Sequence, residues 1–462
     1  MPWWYYVAAV FFILHAMQAF HFVDQSYYGA HGSSGDKITM SLNVLLIVVS
    51  VALFARGKAG TKAVGSGANI ALGLAGFLLC SVLWSVARGT TIREGLIYLP
   101  MIVGSIGIAS NFDPDEYMHL LARTYFCMAL LSLVVLAHSS ADTVGVPWDD
   151  FQGIFSQKNQ LGEAMQIGAL ASLHGLRTGN GRRLGSAVYL SGFIVLALMS
   201  ASTTSCVIIF AYSAASVLTA LVRKGGAARF LGIVGAVIAL PALLYVLAFP
   251  DSFIEALGKN PTLTGRTAIW AAAVPYIWHR PVLGWGFMAF WSPTNPVSGA
   301  ISAALGWGWL PNEAHNGLYE ALLEVGVVGT AFFLFLMARN IATAIRCLRT
   351  AEAEIALTCL LSCAGVLMLG VSEEVLVVPL AASTSIFFIT GFMCEKAVRT
   401  AARREASQPQ PVESGDAVVP LGVPSGSSRV WRSRRGEGAK RVIRWRRRGR
   451  PRRSGRGSLP SL

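Results

Sequence analysis

The residues best suited to moving a proton gather around His315. An imidazole with its ordinary pKa near about 6.5 is substantially neutral at the pH of most outer compartments, and it can take a proton from a hydroxyl within hydrogen-bond reach. The next residue, Asn316, brings a carboxamide that can orient an acceptor hydroxyl, orient His315 itself or cap a helix. Glu320 and Glu324 follow, four residues apart on one face of the helix that His315 opens. An ionisable group inside such a span is a functional candidate by default, and Glu324, the deeper of the two, is placed to bind an arginine. Gly326 and Gly329 close the stretch. Three residues apart on one face, they read as positions where another backbone comes close.

Upstream stand the cations. Arg266 is the best clamp for phosphoryl oxygens, because a guanidinium stays charged and binds them bidentately as charge develops on a departing group. Lys158 and Arg280 fall on the same predicted face and are candidates to complete an electrostatic site. Trp270, Trp285, Trp291, Trp307 and Trp309, with Tyr276, make the same region rich in rings able to stack on sugar faces.

Composition says what positions these groups. With 54% hydrophobic and 13% charged residues and a mean hydropathy of +0.54, the chain is too apolar for a soluble globule, which carries roughly 25% charged residues. Windows of about 20 apolar residues predict about twelve membrane helices, centred on residues 3–23, 39–55, 68–87, 95–110, 120–138, 160–176, 185–201, 205–222, 229–249, 316–337, 354–371 and 376–394. The fold expected is therefore an all-α integral membrane protein. Basic connections at Arg56 to Lys62, Arg177 to Arg183, Arg223 to Arg229 and Arg339 to Arg349 fall on one side, which the positive-inside rule makes cytoplasmic. Both termini then lie inside. A long external loop, about residues 250–315, joins spans nine and ten and leads straight into His315.

The net charge of +14 is local. Residues 395–462 hold eighteen Lys or Arg against five Asp or Glu, so the other 394 residues carry only +1. Residues 1–394 are read as the membrane domain, and 395–462 as a basic, disordered cytoplasmic tail. That tail suits anionic membrane lipid better than nucleic acid, which is not expected as a partner. Seven cysteines without a Cys-x-x-Cys pair argue against a disulfide framework and read as small core residues. Asp113-Pro114-Asp115 has the form of a metal motif, but it precedes a helix and reads as an N-cap. No metal and no cofactor are expected.

The order His315, Asn316, nine residues, Gly326, two residues, Gly329 resembles the motif of the O-antigen ligase and Wzy-type polymerase superfamily. Thr264 to Trp270 followed by Pro281 to Gly286 is similar to that family's GR…W…PxxGxG stretch. Gly153 to Gly162 is similar to a segment of the exopolysaccharide polymerase branch, of succinoglycan type. The resemblance covers roughly residues 150 to 335. One departure is the Ser200 to Ser205 run, where the family often carries an arginine and this chain has none; Lys158 or another residue is expected to substitute for it.

The resemblance implies a GT-C-like glycosyltransferase, metal-independent and inverting, in the bacterial inner membrane with its site on the periplasmic face. Its donor would be a polyprenyl-pyrophosphate-linked oligosaccharide, polymerised onto an acceptor glycan in exopolysaccharide or O-antigen synthesis, with polysaccharide export proteins as further candidate partners. His315 and Arg266 would be catalytic, and Lys158, Arg280, Asn316, Glu324 and Trp270 would bind substrate. Two alternatives remain open at this point. One is a ligase that transfers glycan to lipid A-core; the other, of a different class, is a flippase or transporter of lipid-linked oligosaccharide.

Overall fold

A computed structural model describes residues 2–18, 35–55, 64–138, 146–179, 181–235, 266–306, 311, 313–375 and 378–407. The chain divides near residue 408. Residues 409–462, which hold most of the basic tail, lie outside the described residues, as do Trp307, Trp309 and the 250–265 part of the long loop.

Among the described residues the regular structure is helical. The helices are α1 (Trp3–Ala16), α2 (Gly35–Ala55), α3 (Ser66–Cys80), α4 (Arg88–Asn111), α5 (Pro114–His138), α6 (Lys158–Thr178), α7 (Arg183–Met199) and α8 (Thr203–Lys224). They continue with α9 (Gly226–Gly235), α10 (Arg266–His279), α11 (Pro296–Ala304), α12 (Gly317–Cys347), α13 (Ala353–Leu369) and α14 (Ala382–Ala406). Six stretches are long and apolar enough to cross a membrane: Ile38–Ala55, Ser66–Leu83, Arg88–Asn111, Pro114–His138, Thr203–Lys224 and Gly317–Cys347. Four more of the described helices are apolar but shorter, and most of the expected span 229–249 lies outside the described residues.

Two helices outside those six are the most enclosed. In α6 every residue from Ala164 to Gly175 is buried, and in α14 every residue from Ala382 to Glu395. Their polar residues explain why hydropathy alone undervalues them. Close approach in α6 comes from small residues: a Cβ on Gly162 would strike Ser202 and Ser205, and one on Gly168 would strike the Phe193 ring.

The far end of the bundle is tied by charges at helix termini. Glu395 accepts from the free amides of Ser66 and Gly67 at the start of α3, at 2.9 and 3.0 Å, while Arg339 pairs with the same carboxylate at 2.8 Å. Lys396 donates to the carbonyls of Ala109, Ser110 and Phe112 where α4 ends. Each charge matches the sign of the dipole it faces. Both residues are working parts of the bundle, so the tail begins later than the charge count at 395 suggests. Cys347, Cys359, Cys363 and Cys394 are buried as expected; Cys80 and Cys127 are exposed instead.

The decisive irregularity is in α12. Gly326 has φ +64° and ψ −168°, which interrupts the helix. Into the break runs the backbone of residues 281–286. Val327 N donates to Pro281 O at 2.9 Å, Val328 N to Val282 O at 3.1 Å, Trp285 N to Leu323 O at 2.8 Å and Gly286 N to Glu324 O at 2.9 Å. A Cβ on Gly284 would lie 2.6 Å from the Glu324 carbonyl, and one on Gly326 2.4 Å from the Val282 oxygen. Gly284 and Gly326, one from each motif, therefore serve one junction. Gly326→Ala combines this clash with a left-handed backbone and should destabilise the protein by about 2–4 kcal/mol. A purified variant melting with the wild-type protein would refute that.

Candidate functional site

The site is built at the turn between α13 and α14, residues 370–375. Four of the sequence segments singled out above send a group there. Gly317 N donates to Gly370 O at 2.8 Å, Asn316 Nδ2 to Val371 O at 3.3 Å, and Thr204 of the serine-threonine run shares a hydrogen bond with Ser372 Oγ at 2.8 Å. Arg266, the first residue of α10, donates to Ser372 O, and its other terminal nitrogen lies 3.1 Å from Glu373 Oε1. Asn159, from the second turn-to-helix segment, donates to the same oxygen at 2.7 Å.

His315 completes the cluster. Its Nδ1 lies 3.0 Å from Glu313 Oε1 and 3.7 Å from Glu373 Oε2. The shorter contact is an ion pair and not a well-aligned hydrogen bond, because Nδ1 has no partner of hydrogen-bonding geometry. His315 also has φ +50°, a left-handed conformation that costs a side-chain-bearing residue about 1–2 kcal/mol. Such strain persists only where surroundings over-determine it.

The electrostatics follow from the count of charges. Burial alone would lower the His315 pKa, but the carboxylates of Glu313 and Glu373 overcome it and hold the imidazole up to about 9, with Arg266 opposing weakly. This changes the premise drawn from an ordinary histidine: at pH 7 the ring is mostly an imidazolium. Glu374, next to Glu373, is pushed well above the carboxylate range by burial and by the charges of Glu313, Glu320, Glu324 and Glu373. It holds its proton, and its Oε2 is buried without a partner.

The other expected site residues are placed as follows. Asn316 is the N-cap of α12, its Oδ1 accepting from Leu318 N and Tyr319 N at 3.0 and 3.1 Å. Glu324 is fully buried, and its two oxygens accept from Ala289 N and Phe290 N at 2.6 and 3.0 Å. Both of its oxygens thus clamp that turn. Trp270 spends its indole N–H on Ala314 O at 2.8 Å and sets its ring against Tyr319. Lys158 reaches Asp149 O at 3.1 Å and not the cluster, so it does not replace the absent arginine. Arg280 lies at the other end of α10, about 20 Å from Arg266 along a helix of that length, stacked 4.3 Å over Trp285 and bonded to Trp84 O. The structure thus unites Arg266, His315 and Asn316 and leaves Lys158 and Arg280 outside.

Two members escaped the sequence reading. Glu313 stands two residues before His315, and Glu373 lies in the short connection between α13 and α14. Two adjacent acids in an otherwise apolar stretch were the available signal. Asp115, in contrast, pairs with His174 at 2.8 Å, remote from this cluster.

Glu313, His315 and Glu373 each offer a ligand atom, all within 4.8 Å of one another, which is the spacing of a metal-ligand set. A divalent ion there would have to displace Arg266 from Glu373 and the proton from His315.

The cluster thus sits in a helical bundle with several apolar, membrane-length helices, beside a broken helix opened by His315-Asn316 and an arginine that meets it at a carboxylate. The family model described as O-antigen ligase matches residues 186–334, from α7 to the middle of α12. Among curated proteins, the chain is similar to the exopolysaccharide production protein ExoQ of Rhizobium meliloti (strain 1021), with 27% identity over 285 residues. That match covers 56% of this chain and 62% of the relative, so it spans less than two thirds of the relative's length.

The ionisation of His315 carries a stability consequence. A folded pKa of about 9 lies above the unfolded value near about 6.5. The pairing therefore contributes fully below the lower value and is lost as pH rises through the upper one. Thermal stability should fall between pH 7 and 10, and less so in Glu313→Gln. Parallel curves for the two proteins would exclude this pairing as the cause.

Proposed function

We propose that the chain is a membrane-embedded glycosyltransferase that polymerises polyprenyl-pyrophosphate-linked oligosaccharide repeats in exopolysaccharide synthesis. The observation that carries the reading is the meeting of His315 and Arg266 on one carboxylate, Glu373, within a chain similar to an exopolysaccharide production protein. Transfer requires a proton acceptor at the incoming hydroxyl and a cation where the pyrophosphate leaves.

In this scheme the acceptor hydroxyl attacks the anomeric carbon of the donor. The new C–O bond forms as the bond to the pyrophosphate oxygen breaks, with inversion and without metal. The hydroxyl proton passes to His315 Nε2, since Nδ1 faces the carboxylates, and the leaving group takes the electron pair under the charge of Arg266. Glu313 and Glu373 stabilise the imidazolium that results, much as an aspartate does behind a catalytic histidine. The two acids make His315 a stronger base while reducing its neutral fraction at pH 7 to roughly one in a hundred.

A ligase that transfers assembled glycan to another acceptor is the second reading, favoured by the description of the matching family. Transport is less well supported. A broken helix is a feature of transporters, but here the break is filled by backbone from residues 281–286.

The product profile decides among these. Deleting the chain should leave single repeats on the polyprenyl carrier, and His315→Ala or Arg266→Ala should do the same at normal membrane abundance, with transfer down by about 10³-fold or more. Long chains accumulating on the carrier would indicate ligation; unchanged polymer in both variants would reject the enzyme reading. The rate of the wild-type protein on lipid-linked repeat extracted from the deletion strain should climb with pH towards about 9. A rate that declines over that range would make the imidazolium the working form.

A further inference from the structure

The peptide that precedes His315 is held on both sides. Ala314 N donates to Glu320 Oε2 at 2.7 Å, and Ala314 O accepts from Trp270 Nε1 at 2.8 Å. The same Glu320 oxygen accepts from Trp291 Nε1 at 3.0 Å. Glu320 is 2% exposed and Ala314 fully buried, so this bracket is closed to solvent.

An ordinary helix start does not need it. The N-cap duty of α12 is already met by Asn316, which satisfies Leu318 N and Tyr319 N. Glu320 reaches past that cap to a residue outside the helix. What it fixes is the link between Glu313 and His315, the one residue between them. The distance of 3.0 Å from Glu313 to Nδ1 and the left-handed backbone of His315 both depend on where that link lies.

We propose that Glu320 is a positioning residue which, with Trp270, locks the Glu313–Ala314–His315 peptides in the conformation that presents the imidazole to the acceptor. The proposal rests on the glycosyltransferase reading for its acceptor. Its structural part concerns only the imidazole and the charged groups that act on it, which are Glu313, Glu373, Arg266 and, through its own charge, Glu320. The element that matters is an acceptor oxygen at one place. A glutamine supplies that oxygen; a methionine, of similar length, does not.

The experiment is a pH titration of His315 by NMR in the full-length protein labelled at histidine, assigned by the signal lost in His315→Asn. It is paired with transfer rates on lipid-linked repeat extracted from the deletion strain. Glu320→Met should move the midpoint down from about 9 by about one unit or more and slow transfer by about ten- to a hundredfold. Glu320→Gln, which loses the charge but keeps the acceptor oxygen, should lower the midpoint by less than half as much as Glu320→Met and retain transfer to within about threefold. Trp270→Phe, which removes the donor from the other side of the bracket, should shift the midpoint in the same direction as Glu320→Met and decides the matter if that variant fails to fold. A midpoint unchanged in both, or a Glu320→Gln variant that behaves like Glu320→Met, would overturn the proposal. If the midpoints shift as expected while even the wild-type protein transfers no sugar, the positioning stands and the functional reading fails.

Discussion

The Glu373 carboxylate is the constraint on which the site depends. Arg266, Asn159 and His315 come from three segments far apart in the chain, and each meets one of its oxygens. An anion enclosed in an apolar bundle is costly unless paired, and breaking such a pair leaves a charge uncompensated. The carboxylate is thus what draws a guanidinium and an imidazole into reach of each other. Its own turn is fixed in turn by Gly317, Asn316 and Thr204. The segment that matches the family model, residues 186–334, supplies the two cations but not the anion that gathers them.

The surrounding acids set the chemical character of the site. Glu313, Glu320, Glu324, Glu373 and Glu374 outnumber the cations Arg266 and His315. The excess is absorbed in different ways: Glu324 by backbone amides, Glu374 by keeping its proton, Glu313 and Glu373 by holding the proton of His315. A histidine in this field is a stronger base than a free imidazole and is less often unprotonated.

Much of this was legible in the sequence, for reasons that can be stated residue by residue. Apolar runs gave the helices because bilayer thickness imposes their length. His315, Asn316 and Arg266 stood out because their types are expensive in such a chain. The roles of Lys158, Arg280, Glu324 and Trp270 were not legible, because a side chain's partner is set by tertiary contact: Asp149 O, Trp285, two backbone amides and Ala314 O respectively. Glu313 and Glu373 were passed over since no local spacing connects residue 373 to residue 266. The close backbone approach expected of both glycines is found at Gly326, while Gly329 faces the Val325 and Phe77 side chains; a break in the helix cannot be read from a count of residues between glycines.

The lacing of residues 281–286 into α12 is made by main-chain groups, and two glycines are the main demand it places on side-chain identity. A joint of that sort is nearly blind to what the neighbouring residues carry. Trp278, Val282 and Leu283, which face outward beside it, can be exchanged for other side chains while the junction holds. One scaffold can thereby hold the Arg266–Glu373–His315 cluster in place while the outward surface beside the joint is free to change.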